Sequence, residues 1–345
     1  MGAPAKNRNL TIDTAKFLLI LSIFVFHYGT AAGGWYPLFS AFHVPAFFMV
    51  SGFWALNRMD RSVWWFIKNA FRKYLLLWLC FVLIYPVFYT LTEGYGWRTT
   101  WMLFVRYLCA VRESGIGGMW FVPAFFLVSL CYFLTAKVIA HIPRLGQTGQ
   151  AWLNLLIALG VLLVYQQLVP SDKRLLFSLD QVPLHWFFYA LGRVVYSGYL
   201  WLKTRGRGRQ TTVLALSAVI SLGYMTMMYY HIDDRLWGGV GKAFPLLPQT
   251  VGVMLSLCGV FWVARAIQCR FLVRIGQSTL GLCLCEQLAK APFTKALELL
   301  EVSLTAAWMP FVLSLAALLA GCFIVLPPIE WTLSRLSRQV RALPT

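Results

Sequence analysis

A carboxylate, a cation and an imidazole share one face of the first apolar helix that the sequence predicts. Thr11-Ile-Asp13-Thr-Ala-Lys16 leads into an uncharged run, Phe17 through Phe26, which ends on His27. Asp13 and Lys16 are three apart and so are neighbours on a helix. Lys16 and His27 are eleven apart. At 100° per residue that is about 20° from full register, with roughly 16 Å along the axis. The stripe predicts an imidazole at about mid-membrane depth, with a charged pair at its cytoplasmic end. An imidazole so placed could take a proton from a hydroxyl. The plainer alternative is a snorkelling Lys16 and a His27 bonded to a neighbouring carbonyl.

Four further clusters carry polar chemistry into apolar surroundings. His43-Val-Pro45-Ala-Phe47-Phe48-Met-Val-Ser51-Gly52-Phe53 combines a helix-interior proline, which frees a carbonyl, with a Ser-Gly pair. The pair lets another helix or a ligand approach the backbone closely. Lys68-Asn-Ala-Phe-Arg72-Lys73 is a basic cluster able to hold phosphate groups, or to lie beside anionic lipid. Trp120 opens a further apolar run, as an aromatic-belt residue would. Arg193 and Glu286 stand inside apolar runs, where an ionisable group is costly and by default a functional candidate. Glu286 needs a partner, which His27, Arg193 or Lys290 could supply.

Only an unusual chain can position such groups. Hydrophobic residues make up 59 % and charged residues 12 % of the 345 residues, and mean hydropathy is +0.68. Soluble domains are nearer about 25 % charged. This composition excludes a soluble enzyme, a disordered chain and a disulfide scaffold, and it predicts an all-α polytopic membrane protein. The eight cysteines form no CxxC or Cys/His metal spacing, so no metal is expected. The formal charge of +18 would suggest nucleic acid in a soluble protein. Here the basic residues lie between apolar runs, so the excess is topological and no nucleic-acid partner is expected.

A helix needs roughly 20 apolar residues to cross the bilayer. Ten spans are predicted, at about 15–34, 36–56, 74–92, 117–136, 151–169, 183–202, 211–230, 245–264, 271–289 and 304–327, in one transmembrane domain over 1–345. Gly29-Thr-Ala-Ala-Gly-Gly34 divides the first two. The segment 99–112, interrupted by Arg106 and Arg112, reads as interfacial or re-entrant. Of 30 Lys and Arg, 19 then fall in cytoplasmic segments and nine in external ones, while Lys16 and Arg193 lie in spans. That asymmetry places both termini in the cytoplasm.

Together these pieces resemble the integral-membrane acyltransferase family 3. Asp13, Lys16 and His27 match its Asp-x-x-Arg/Lys start followed by ten residues and His, with Lys16 where Arg is usual. His43, Pro45, Phe47, Phe48, Ser51, Gly52 and Phe53 match its second-helix segment. The His-x-Pro-x-Phe-Phe pattern is similar to that of a fucose 4-O-acetylase-like subgroup. Trp120, Phe121 and Ala124 match its Trp-Phe-x-x-Ala segment. Gly276 to Glu286 resembles its late Gly-Lys-x-Ser-Leu-Gly-Ile-Tyr-Leu-x-His segment, with Cys283 for the Tyr and Glu286 for the His. The family's double-Arg pattern is altered, with Ala70 at one of those positions.

The resemblance implies transfer of an acyl group, most often acetyl, from cytoplasmic acyl-CoA. The acceptor would be a hydroxyl on a surface glycan or its lipid-linked precursor, and the setting the cytoplasmic (inner) membrane and its lipid. His27, Asp13, Lys16 and Glu286 would be catalytic, with His27 as base. Lys68, Arg72, Lys73, Ser51 and Gly52 would bind acetyl-CoA, and His43, Trp120 and Arg193 would line the substrate pocket. The rival expectation is a transporter or flippase without covalent chemistry.

Overall fold

The computed structural model describes residues 9–55, 60–112, 117–170, 172–230, 232, 244–304 and 306–342. Lys6, Arg8, Arg58, Arg235 and Lys242, which enter the charge argument for topology, lie outside the described residues. Among those described the chain is helical, without strands.

Helix α1 (Leu10–Phe26) opens on Asn9, whose side chain accepts the Thr11 amide N–H at 3.1 Å, and carries Asp13 in its first turn. Both features suit the donor-rich end of a helix. It closes one residue before His27. The chain then turns through Gly29–Ala32, with Gly29 and Gly33 at φ 59° and 57°, a region that glycine enters without penalty. Helix α2 (Trp35–Gly52) follows, with Pro45 inside it. The first apolar helix is thus shorter than the expected 15–34 span.

Helix α3 runs from Val63 to Glu93, 31 residues and about 46 Å. The Ser62 side chain caps it by accepting the Trp65 N–H at 3.1 Å. The basic cluster therefore lies on a helix continuous with the apolar span, and not in a loop before it. A π turn at Phe71–Leu75 interrupts α3 beside that cluster. Helix α4 (Trp97–Cys109) has 13 residues, too few to cross a bilayer. It folds back along α3, with the Thr90 and Thr100 hydroxyls 2.5 Å apart and the Tyr85 and Tyr107 rings stacked at 5.3 Å.

Among the described residues there follow α5 (Phe121–Ile139), α6 (Gln147–Leu168), α7 (Val182–Lys203), α8 (Arg207–Tyr229), α9 (Leu246–Ala266), α10 (Arg270–Gln277) and α11 (Thr279–Leu299). Helix α12 comprises Met309–Ala320, a π turn at Gly321–Val325, and Leu326–Ala342. Among the described residues, six helices are long and apolar enough to cross a membrane: α3, α5 with the turn before it, α6, α8, α9 and α12. The stretch 271–289, expected as one span, is broken at Ser278 between α10 and α11.

The chain forms two compact units. Unit one comprises Met1–Val50, Ser197–Thr279 and Phe293–Leu318. In it α1 packs on α9 and α10, and α8 packs on α9. Trp35 meets the rings of Tyr229 and Phe311 edge-on at 5.2 and 4.9 Å. Unit two comprises Ser51–Tyr196, Leu280–Pro292 and Leu319–Thr345. In it α5 pairs with α6 through Asn154, whose amide donates to the Tyr132 carbonyl at 3.2 Å and accepts the Trp186 indole N–H at 3.1 Å.

Candidate active site

Unit one holds Asp13, Lys16, His27 and His43. The backbone stays right-handed through His27 (φ −72°, ψ 0°), so the stripe of Asp13, Lys16 and His27 keeps its helical register. Asp13 is buried, Lys16 half-buried and His27 exposed. His27 is the last residue of the stripe and caps α1, its backbone N–H reaching the Ile23 carbonyl at 3.2 Å. The expected span 15–34 is divided there: Gly29 and Gly33 end the helix, and the His27 ring stands at its exit.

The aromatic setting of His27 is not legible from spacing. The Phe26 ring lies 5.5 Å from His27, 4.5 Å from His43 and 5.0 Å from Tyr36, the last stacked at 4°. His43 is buried and its Nδ1 bonds the Phe39 carbonyl. One phenyl ring thus touches both imidazoles.

The N-terminal end of the stripe is tied down from α10. Gln277 donates its side-chain amide to Asp13 Oδ2 at 3.3 Å, and Gln268 donates to the Thr11 hydroxyl at 2.5 Å. Gly276 makes this approach possible. A Cβ there would overlap the Asp13 carbonyl and lie 3.2 Å from the Phe17 nitrogen. Backbone against backbone cannot relax by a rotamer change. Gly276→Ala is expected to destabilise the protein by about 3 kcal/mol, the upper end of overpacking costs. A thermal-unfolding curve superimposable on that of the wild type would refute this close crossing.

Unit two holds the other candidates. Lys68, Arg72 and Lys73 are exposed, and Lys73 Nζ lies 5.1 Å from the Tyr74 ring centre. Arg72 and Lys73 sit within the π turn, a feature often found at functional positions. Ser51 and Gly52 end α2. The close approach at Gly52 is made by the Tyr189 carbonyl of α7, which a Cβ would overlap. Arg193 is 6 % exposed and donates from Nη1 to the Phe53 carbonyl at 3.3 Å, its guanidinium 5.9 Å from the Tyr196 ring. Trp120, half-buried, lies under the Arg112 guanidinium and stacks on His185. Glu286 is 2 % exposed, and Lys290 Nζ meets its Oε1 at 2.6 Å. Of the three partners that the sequence offers Glu286, the structure supplies Lys290, one turn away on α11.

Arg112 and His185 both lie against Trp120 and are not among the candidates that the sequence offers. His185 stands one turn into α7 and is buried. The available signal was an ionisable residue close to the start of an apolar run.

A family model described as an acyltransferase domain matches residues 9–326. No curated protein and no solved structure matches the chain. The matched range takes in the α1 stripe, the basic cluster on α3, Trp120 and the Gly276–Glu286 segment. Helices apolar enough to cross a membrane, and a match over nearly the whole chain, place this protein in acyltransferase family 3.

Proposed function

We propose that the protein moves an acyl group, most simply acetyl, from cytoplasmic acyl-CoA to a hydroxyl of a cell-surface carbohydrate or its lipid-linked precursor, in the cytoplasmic membrane. The observation that carries this reading is His27: an exposed imidazole at the exit of α1, in register with Lys16 and Asp13, in a chain of an acyltransferase family. A transporter without covalent chemistry is not favoured by that family.

In this reading the His27 ring accepts the proton of the acceptor hydroxyl as its oxygen attacks the thioester carbonyl. The carbon–sulfur bond breaks, and the imidazolium returns the proton to the departing CoA thiolate. The products are an ester and free CoA. The donor is anionic, and Lys68, Arg72 and Lys73 offer exposed cations to its phosphates. Asp13, held by Gln277, fixes the start of the stripe. His43 supports the Phe26 ring against which His27 lies.

The test uses purified protein in nanodiscs with radiolabelled acetyl-CoA, following CoA release and label on the protein. Arg72→Ala with Lys73→Ala is expected to raise the acyl-CoA KM roughly tenfold, the loss of about one charge-assisted contact, with the acceptor KM little changed. An unchanged donor KM would return the cluster to a topological role.

A further inference from the structure

Unit two brings three interruptions of the helical chain to one place. Helix α4 stops at Ala110, in the left-handed region at φ 47°, and the turn Gly117–Trp120 begins at φ 52°. Between α6 and α7, Phe177 and Ser178 are both left-handed, at φ 53° and 51°. The breaks are bonded to one another and to α3. The Ser178 hydroxyl donates to the Ala110 carbonyl at 2.7 Å, and the Trp78 indole N–H donates to the Met119 carbonyl at 3.1 Å. Trp78 lies 15 residues from each end of α3, so Gly117–Trp120 sits beside its middle, roughly 22 Å from either end.

Trp78 falls within the apolar part of α3, and irregular backbone beside such a segment is tolerated only where protein buries it or where it lines a polar cavity. Non-glycine residues held left-handed are strained, and such strain gathers at ligand sites. Broken helices hold substrate in other membrane proteins for the same reason.

The side chains gathered there are a cation and two stacked rings. The Arg112 guanidinium lies 5.4 Å from the centre of the Trp120 ring, an attractive cation–π placement. His185, 3 % exposed, stacks on the same ring at 6.0 Å and 25°. Asp180 is buried and committed to the backbone turn: Oδ1 accepts the Leu175 N–H at 3.1 Å and Oδ2 the Gln181 amide at 2.7 Å. Arg112 is exposed, so its guanidinium is open to a ligand.

We infer that Arg112, set against Trp120 and backed by His185, forms a subsite for an anionic carbohydrate, a sugar bearing a carboxylate or a phosphate. The inference rests on the acyl-transfer reading, for which this is the acceptor side. Arg112 supplies planar, paired donors for either anion. His185 is a positioning residue that sets the plane of Trp120, and with it the guanidinium.

Saturation-transfer NMR tests the inference without any acyl donor, on the full chain in nanodiscs of zwitterionic lipid. The probes are methyl β-D-glucuronide, α-D-glucose 1-phosphate and the neutral methyl β-D-glucoside. The expected result is binding of at least one anionic sugar about tenfold tighter than the neutral one, and the two anionic arms separate carboxylate from phosphate. Arg112→Gln is expected to remove that tenfold preference, and Arg112→Lys to retain part of it. His185→Ala is expected to weaken binding severalfold, with recovery in His185→Phe, which keeps a flat ring. Equal binding of the neutral sugar, no binding of any probe, or an undiminished preference in Arg112→Gln overturns the inference. The comparison among probes on wild-type protein stands even where a variant does not fold. With no acyl-CoA present, failure of this subsite is distinct from failure of the donor chemistry, which CoA release reads separately.

Discussion

His27→Ala is expected to lower acyl-transfer turnover by about 10²–10⁴-fold, the usual worth of a general base, and to leave thermal stability close to wild type. Both halves follow from where the ring sits. His27 is exposed and stands after the last residue of α1, so truncation opens no cavity in unit one. Its helix is set by Asn9, by Gln277 on Asp13 and by the apolar residues facing α9 and α10. His43 provides the contrast. It is buried and bonded to the Phe39 carbonyl, so His43→Ala lowers stability before it says anything about chemistry. The measurements are CoA release with a fixed acceptor and the unfolding midpoint, on both variants. Turnover in His27→Ala within a few fold of wild type would remove His27 as the base.

The second large effect belongs to the ion pair of α11. Lys290 and Glu286 meet at 2.6 Å with side chains only 12 % and 3 % exposed. Breaking such a pair from one side leaves a buried charge without compensation, at a cost of about 3–5 kcal/mol. Lys290→Met is therefore expected to destabilise the protein strongly. Lys290→Met combined with Glu286→Gln is expected to recover most of that loss, because neither residue then demands a counter-charge. The same pair decides whether Glu286 acts in the reaction. If Glu286→Gln holds its unfolding midpoint near that of the double variant but loses transfer, the carboxylate takes part in chemistry. If activity follows stability across the three variants, its role is to hold α11. Wild-type stability in Lys290→Met would show that the pair is not a buried one.

The fold class was readable because lipid-facing and buried residues are apolar alike, so hydropathy marks helices without knowledge of their neighbours. The register of the α1 stripe was readable for a similar reason, since it depends on one helix alone. What failed depended on contacts between helices. Ser278 divides a stretch that composition treats as continuous, and the division lies where Gly276 and Gln277 meet α1. The π turn in α3 leaves no compositional mark, and Lys68 through Lys73 read equally well as a loop. The Glu286–Lys290 pair, by contrast, lies within one helix, and its i, i+4 spacing was among those the sequence offered. Arg112 lay in a segment read as interfacial or re-entrant. Its place beside Trp120 depends on contacts distant in sequence, Ser178 with the Ala110 carbonyl and Trp78 with the Met119 carbonyl.

The composition of the two units also sets an order of events during synthesis. The chain passes from one unit to the other five times, at Val50, Tyr196, Thr279, Pro292 and Leu318. Unit one cannot close until residues 293–318 have emerged, and unit two waits for the second half of α12. Asp13 and the Gln277 amide that meets it are 264 residues apart. At about 5–20 residues per second, the carboxylate is made on the order of 13–50 s before its partner. Throughout that interval the nascent first helix carries a polar face with no α10 to cover it. Until then the carboxylate is without the Gln277 amide, and unit one is completed only by its carboxyl-terminal segment.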